Sequence, residues 1–245
     1  MLLAYVAFTF LVAGFVKGVI GMGLPTVAVG MLGVVMAPTE AAAVMVVPSL
    51  VTNTWQALAG DYLWRGLRRF GALFVALCAG TWLVAWLAPA VDRSVATAAL
   101  GLILIAYVLV GRYGPQFTVA PVLERRLTPW IGLATGALTA VTGVFVMPAV
   151  PYLQRLGLDK DELVQALGLT FLVATIALGL SLPATLMRLF SDGQTTLLGA
   201  LAAALAGMWV GQAVRRWVSP AVFRACFFWG LLALGLHLAV RSLWH

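Results

Sequence analysis

From end to end the chain is divided into uncharged apolar stretches, most of them long enough to cross a lipid bilayer. These are 18–39, preceded by 1–16 and joined to it through Lys17, then 41–60, 70–91, 94–111, 127–154, 163–187, 193–214 and 225–240. A helix needs about 20 residues to cross roughly 30 Å of hydrocarbon, and six of these eight segments fit with modest tilt. Of the 245 residues 63% are hydrophobic and 9% charged, against roughly a quarter charged in a soluble domain. There is no room for a separate soluble domain. The segments are continuous rather than alternating, which excludes an outer-membrane β-barrel. The expected fold class is an all-α polytopic membrane protein with eight hydrophobic segments.

Two segments are too long or too interrupted to be simple spans. As one helix, Met1–Ala37 would be on the order of 55 Å long, nearly twice the hydrocarbon thickness. Gly14, Gly18, Gly21, Gly23 and Pro25 mark where it breaks, because they lower helix propensity and remove a backbone donor. The fifth segment repeats the pattern with Gly132, Gly136, Gly143, Pro148 and Pro151. Setting Gly14 on Gly136 places Gly21 on Gly143 and Glu40 on Glu162, a constant offset of 122. The spans that follow carry small polar residues, Ser49, Thr52 and Asn53 in the first copy and Thr170 to Thr175 in the second. The expected organisation is one integral membrane domain made of a first repeat over 1–111, a linker over 112–127 and a second repeat over 128–245.

Loop charge gives the orientation. With every segment crossing fully, eight loop cations fall on one side and six on the other. If the fifth segment instead enters and returns to the same face, eleven share one side, the groups around Arg65, Arg112, Arg155 and Arg215, against Arg93, Arg188 and Arg241. The basic side is cytoplasmic by the positive-inside rule. Both termini are then expected outside, with loops 61–69, 112–127 and 215–224 inside. If the first segment also returns, three crossings separate the halves and the repeats are inverted, a recurring transporter plan. This topology explains the net charge of +7 without a nucleic-acid partner. The N-terminus lacks a basic region and a small-residue cleavage site, so it reads as mature structure. Cys78 and Cys226 lie in apolar runs without CxxC spacing and suggest neither a disulfide nor a metal site.

Enzyme signatures are absent: there is no HExxH, GxSxG, CxxC or GxxxxGK[ST], and the histidines are His237 and His245. No enzyme activity, cofactor or metal is expected. What remains is the pair of breaks, where a second half-helix exposes backbone N–H groups and a partial positive charge suited to an anion. Lys17 lies inside the first break and adds a full charge. Structural readings compete: the glycines could let helices pack closely, Lys17 could snorkel, and Ser49, Thr52, Asn53, Thr170 and Thr175 could join neighbouring helices. Asn53 and Gln56 follow Pro48, which already opens the backbone, and Asn53 is costly in hydrocarbon unless satisfied. Trp55, Trp64, Trp82 and Trp86 read as interfacial belt or packing.

The run Gly14-x-x-Lys17-Gly18-x-x-Gly21-x-Gly23, the span Pro48-Ser49-Leu-Val-Thr52-Asn53, and the second copy Thr142-Gly143…Pro148…Leu156-Gly157…Ala166-Leu-Gly-Leu-Thr170 resemble the TauE/SafE sulfite exporter family. The resemblance covers nearly the whole chain. It implies a small multi-pass permease of the bacterial inner membrane, of duplicated origin, handling sulfite, sulfonates and related sulfur-containing anions. The expected site has the two breaks facing one another near the midplane. Lys17 and backbone N–H groups near Gly21, Gly23 and Gly143 hold the anionic head, and Asn53, Gln56, Thr142 and Thr170 donate to its oxygens. The expected direction is export. The alternatives are an uptake permease for another anion or a metal ion, and a non-transporting membrane scaffold or assembly factor. Oligomeric state is not legible.

Overall fold

Where glycine or proline interrupts three of the apolar stretches, the eight become eleven helices among the described residues. The computed structural model describes residues 2–87, 92–114, 118–215, 217 and 219–241. In order the helices are α1 (Leu2–Ile20), α2 (Leu24–Leu32), α3 (Pro38–Leu58), α4 (Leu63–Leu87), α5 (Arg93–Tyr113), α6 (Pro121–Thr142), α7 (Ala149–Leu153), α8 (Lys160–Ser181), α9 (Pro183–Asp192), α10 (Gln194–Val214) and α11 (Pro220–Arg241). Six of them (α1, α3, α4, α5, α8 and α10) are long and apolar enough to cross a membrane, and Ala225–Arg241 is a shorter apolar one.

The first break is narrower than the glycine run suggested. α1 continues through Gly14 and Gly18 and stops only at Gly21, whose φ of +79° is left-handed and costs glycine little. The N–H of Gly21 donates to the Lys17 carbonyl at 2.8 Å, closing the last turn. α6 ends the same way: Gly143 has φ +71° and donates to the Thr139 carbonyl at 2.8 Å. Helix ends recur with the same spacing, Ile20 with Thr142 and Pro38 with Lys160. Gly14, Gly18, Gly132 and Gly136 instead sit where two backbones touch. A Cβ on Gly14 would lie 2.1 Å from the Ala204 oxygen, and one on Gly136 would lie 2.0 Å from the Leu77 oxygen. Packing energy holds these glycines helical despite their propensity.

Two further boundaries differ from the apolar stretches. α6 reaches back to Pro121, through a segment whose charges suggested a linker, because Glu124 in its first turn accepts from Arg69 Nε at 2.7 Å and Nη2 at 2.9 Å. The 163–187 stretch splits at Pro183, ahead of which Leu182 leaves the helical region at φ −121°, ψ 42°.

Both interrupted segments enter and return to one end. In the first, the Tyr5 hydroxyl donates to the Met31 carbonyl at 2.8 Å, so α2 runs back beside the start of α1. In the second, the Val119 N–H donates to the Arg155 carbonyl at 2.8 Å, and Arg69 approaches Glu162 at 3.6 Å. Residues 61–69, 119–126 and 155–162 therefore share an end, as the loop-charge count required of the fifth segment. The other end holds the 33–37 turn, where the Arg241 guanidinium donates to the Val34 carbonyl. In a cysteine-free background (Cys78→Ala, Cys226→Ala), single cysteines placed beside Arg65 and beside Arg155 are expected to react with an impermeant thiol reagent from the same side. Reaction from opposite sides would show that the 127–154 segment crosses.

The main helix contacts pair α1 with α10, α4 with α6, α5 with α11 and α3 with α8. α3 and α8 form the centre and run antiparallel. As the chain rises along α3 from Val46 through Asn53 to Ala57, its partner falls along α8 from Gly179 through Thr175 to Gly168.

Candidate functional site

Lys17 lies in the last turn of α1, where an ammonium is favoured by the negative end of the helix dipole. It does not snorkel. Only 4% of its surface is exposed, because α1 carries it inward against α3. Its amine donates to Thr52 Oγ1 at 3.1 Å and to Asn53 Oδ1. Thr52 can accept because its own proton goes to the Pro48 carbonyl at 2.8 Å. Asn53, fully buried, turns its amide nitrogen to Thr175 Oγ1 at 3.3 Å. Thr175 in turn donates to the Phe171 carbonyl at 2.6 Å. Asn53 and Thr175 are separated by 122 residues, the same spacing that relates Gly21 to Gly143 in the sequence.

The cluster has no internal counter-charge. Among the described residues, no carboxylate comes within 4.0 Å of the Lys17 amine, and the ion pairs found join Arg69 to Glu124 and Glu162. A buried ammonium satisfied only by neutral oxygens is expensive, because their dipoles replace little of its hydration.

Beside Lys17 is a cavity of about 390 Å³ that extends to Asp61, Asp161 and Arg215, at the end that gathers the loop cations. Its walls include Gly21, Thr52, Gln56, Gly60, Gln212 and Arg215. Gln56 is fixed by donating to the Val164 carbonyl at 2.9 Å. Gln165 fixes the α3–α4 turn, donating to the carbonyls of Ala57 and Gly60, both at 2.8 Å, and accepting from the Tyr62 N–H at 2.7 Å.

The structure thus brings Lys17, Gly21, Asn53 and Gln56 together, but not the other four expected residues. Gly23, the N-cap of α2, is left-handed at φ +103° and packs against Val16 and Phe227, away from the Lys17 chamber. Thr142 spends its hydroxyl within its own segment, donating to the Leu138 carbonyl at 2.7 Å and accepting from the Val144 N–H at 3.2 Å. Gly143 is shut in: a Cβ there would lie 2.5 Å from the Ala42 Cβ. Thr170 is buried and bonds back to the Ala166 carbonyl at 2.8 Å. Three residues now join the site. Thr175 was reachable from the sequence by applying the 122 offset to Asn53. Gln212 and Arg215 carried no signal beyond being polar near a helix end.

Long apolar helices enclosing a buried, uncompensated cation at the floor of an open chamber define a multi-pass membrane protein with an anion-compatible site. A family model described as "Sulfite exporter TauE/SafE" matches residues 6–238, and the chain belongs to that family of membrane transporters for sulfur-containing anions. No curated protein and no solved structure matches the chain.

Proposed function

We propose that this protein carries a small sulfur oxyanion, sulfite or a short organosulfonate, out across the bacterial inner membrane, with the anion bound at Lys17. The observation that carries this reading is that, among the described residues, the buried amine is paired with no carboxylate within 4.0 Å, although Asp61 and Asp161 line the same chamber: an anionic substrate would supply the partner that the amine lacks. Gln56 and Gln212 are placed to donate to the oxygens of such a head, and Arg215 to draw it in. A metal cation is disfavoured at the same floor by the charge of Lys17. With the end that gathers the loop cations facing the cytoplasm, the chamber loads from inside, as an exporter requires.

The halves, 1–111 and 128–245, are read as inverted repeats. The antiparallel α3–α8 pair, with Asn53 against Thr175, 122 residues away, fits a two-fold axis lying in the membrane plane. Lys17 contacts that axis through Asn53, so an anion held there could be reached from either face. The two breaks differ in the present state. Nothing lies within 4 Å of a Cβ on Gly21, whereas Gly143 is closed against Ala42. Exchanging these local arrangements between the repeats would open the opposite side.

Moving one negative charge outward from a negative interior is downhill by about 2.3 kcal/mol per 100 mV, so export needs no coupling ion. The placing of the eight acidic residues supports this reading: Glu40, Glu124 and Glu162 fall at helix starts, and Asp61, Asp92, Asp159, Asp161 and Asp192 at or near helix ends. In proteoliposomes without a proton or sodium gradient, efflux of labelled sulfite is expected to accelerate when valinomycin and potassium make the interior negative. Flux that ignores voltage and rises only with an imposed proton or sodium gradient would replace the exporter by a symporter.

A further inference from the structure

The outward face of α4 joins a basic cluster to an apolar stripe. Trp64, Arg65 and Arg68 lie in its first two turns and are exposed. Spacings of three and four residues place them on one side of the helix, where with Arg69 they line a surface recess of about 490 Å³. Arg69 is already committed, to Glu124 on α6 and Glu162 on α8. Arg65 and Arg68 are not: among the described residues no carboxylate comes within 4.0 Å of either. Arg65 instead lays its guanidinium over the Tyr62 ring, 5.5 Å from the centroid.

Beyond Arg68 the same face continues through Ala72, Val75, Ala79 and Leu83 to Trp86, all exposed, and no charged residue follows Arg69 before Asp92. Trp64 and Trp86 are 73% and 77% exposed. Their separation of 22 residues is about 33 Å along a helix, close to the roughly 30 Å thickness of the hydrocarbon. One indole therefore fits each interface, and Arg65 and Arg68 fall within a turn of the first, at the depth of the lipid phosphates. We propose that this face binds an anionic phospholipid, with its phosphate between Arg65 and Arg68, its headgroup beside Trp64 and its acyl chains along the stripe that runs to Trp86. Charge complementarity selects the lipid class: two arginines without a carboxylate favour a headgroup of net negative charge over a zwitterionic one. The stripe selects a lipid over a soluble phosphate, which would leave it uncovered.

The test is native mass spectrometry of the intact protein in a neutral detergent, titrated with dioleoyl phosphatidylglycerol, with phosphatidylcholine of the same chains, and with glycerol 3-phosphate as the headgroup without chains. Phosphatidylglycerol is expected to bind about fivefold more tightly than phosphatidylcholine for each arginine, roughly 25-fold in all. Glycerol 3-phosphate should not bind at the same concentrations. Arg65→Gln combined with Arg68→Gln should remove the preference and leave the melting temperature in detergent unchanged, because both side chains are exposed. Each single variant should lose about fivefold, and the single variants carry the test if the double variant does not fold. Arg125→Gln with Arg126→Gln takes the same charge from the same end of the molecule and is expected to keep the preference. Equal binding of the two lipids, or a preference that survives the loss of Arg65 and Arg68, overturns the site. Glycerol 3-phosphate binding as tightly as the lipid would make it a site for a soluble anion, and a preference lost equally with Arg125 and Arg126 would reduce it to the general charge of that end. Either result also overturns the assignment.

Discussion

Lys17→Met is expected to abolish anion transport and to weaken anion binding by at least ~30-fold, corresponding to on the order of 2 kcal/mol for a partly desolvated charge pair. The fold should survive. Methionine keeps the length and the apolar stem, and its introduction removes a buried ammonium whose desolvation costs several kcal/mol. Against that gain, Asn53 Oδ1 loses its donor, a cost of about 1–3 kcal/mol, while the Asn53 amide nitrogen keeps Thr175. Thermal stability in detergent should therefore be unchanged or slightly raised while binding is lost. Such a trade between stability and function is common at binding sites. Unchanged affinity in a stable variant would remove Lys17 from the site, and loss of both properties would mark it as structural.

Gly136→Ala carries the largest expected loss of stability. The added Cβ would lie 2.0 Å from the Leu77 oxygen and 2.7 Å from the Thr81 nitrogen, both backbone atoms of α4 that cannot step aside. The same contact holds Thr81 Oγ1, which donates to the carbonyls of Leu77 at 2.9 Å and Gly136 at 3.2 Å. Forcing α4 and α6 apart there should cost about 3 kcal/mol. Gly14→Ala should behave alike, since its Cβ would lie 2.1 Å from the Ala204 oxygen on α10. Gly71→Ala is the control. Nothing lies within 4 Å of its added methyl, so the gain in helix propensity, up to ~1 kcal/mol, should leave the protein neutral or more stable. Melting temperatures in one detergent distinguish the cases. Equal effects at Gly71 and Gly136 would mean that the α4–α6 contact is not as close as described.

Those glycines separate what could be read in the sequence from what could not. Interruption of the first and fifth segments was legible, because a bilayer of fixed thickness cannot hold a continuous helix from Met1 to Ala37. The return of the fifth segment was legible from loop charge, since arginine and lysine stay on the cytoplasmic side whatever the helices do. Which glycine breaks a helix and which packs was not. Gly14 and Gly21 have the same missing side chain, and the difference lies in what approaches them: the α10 backbone at Gly14, open space at Gly21.

The chemistry divides in the same way. By itself the sequence determined a multi-segment membrane chain with a lysine where hydrocarbon should be, a 122-residue internal spacing and a family resemblance, because each depends on composition and order along the chain. The tertiary structure alone decided that Lys17 turns inward rather than snorkelling, that Asn53 meets Thr175, 122 residues away, and that Thr142 and Thr170 spend their hydroxyls on their own helices. Those outcomes depend on which helix faces come together. Hydropathy constrains the length and depth of a helix in a bilayer but says little about its rotation, which is set by side-chain packing between helices.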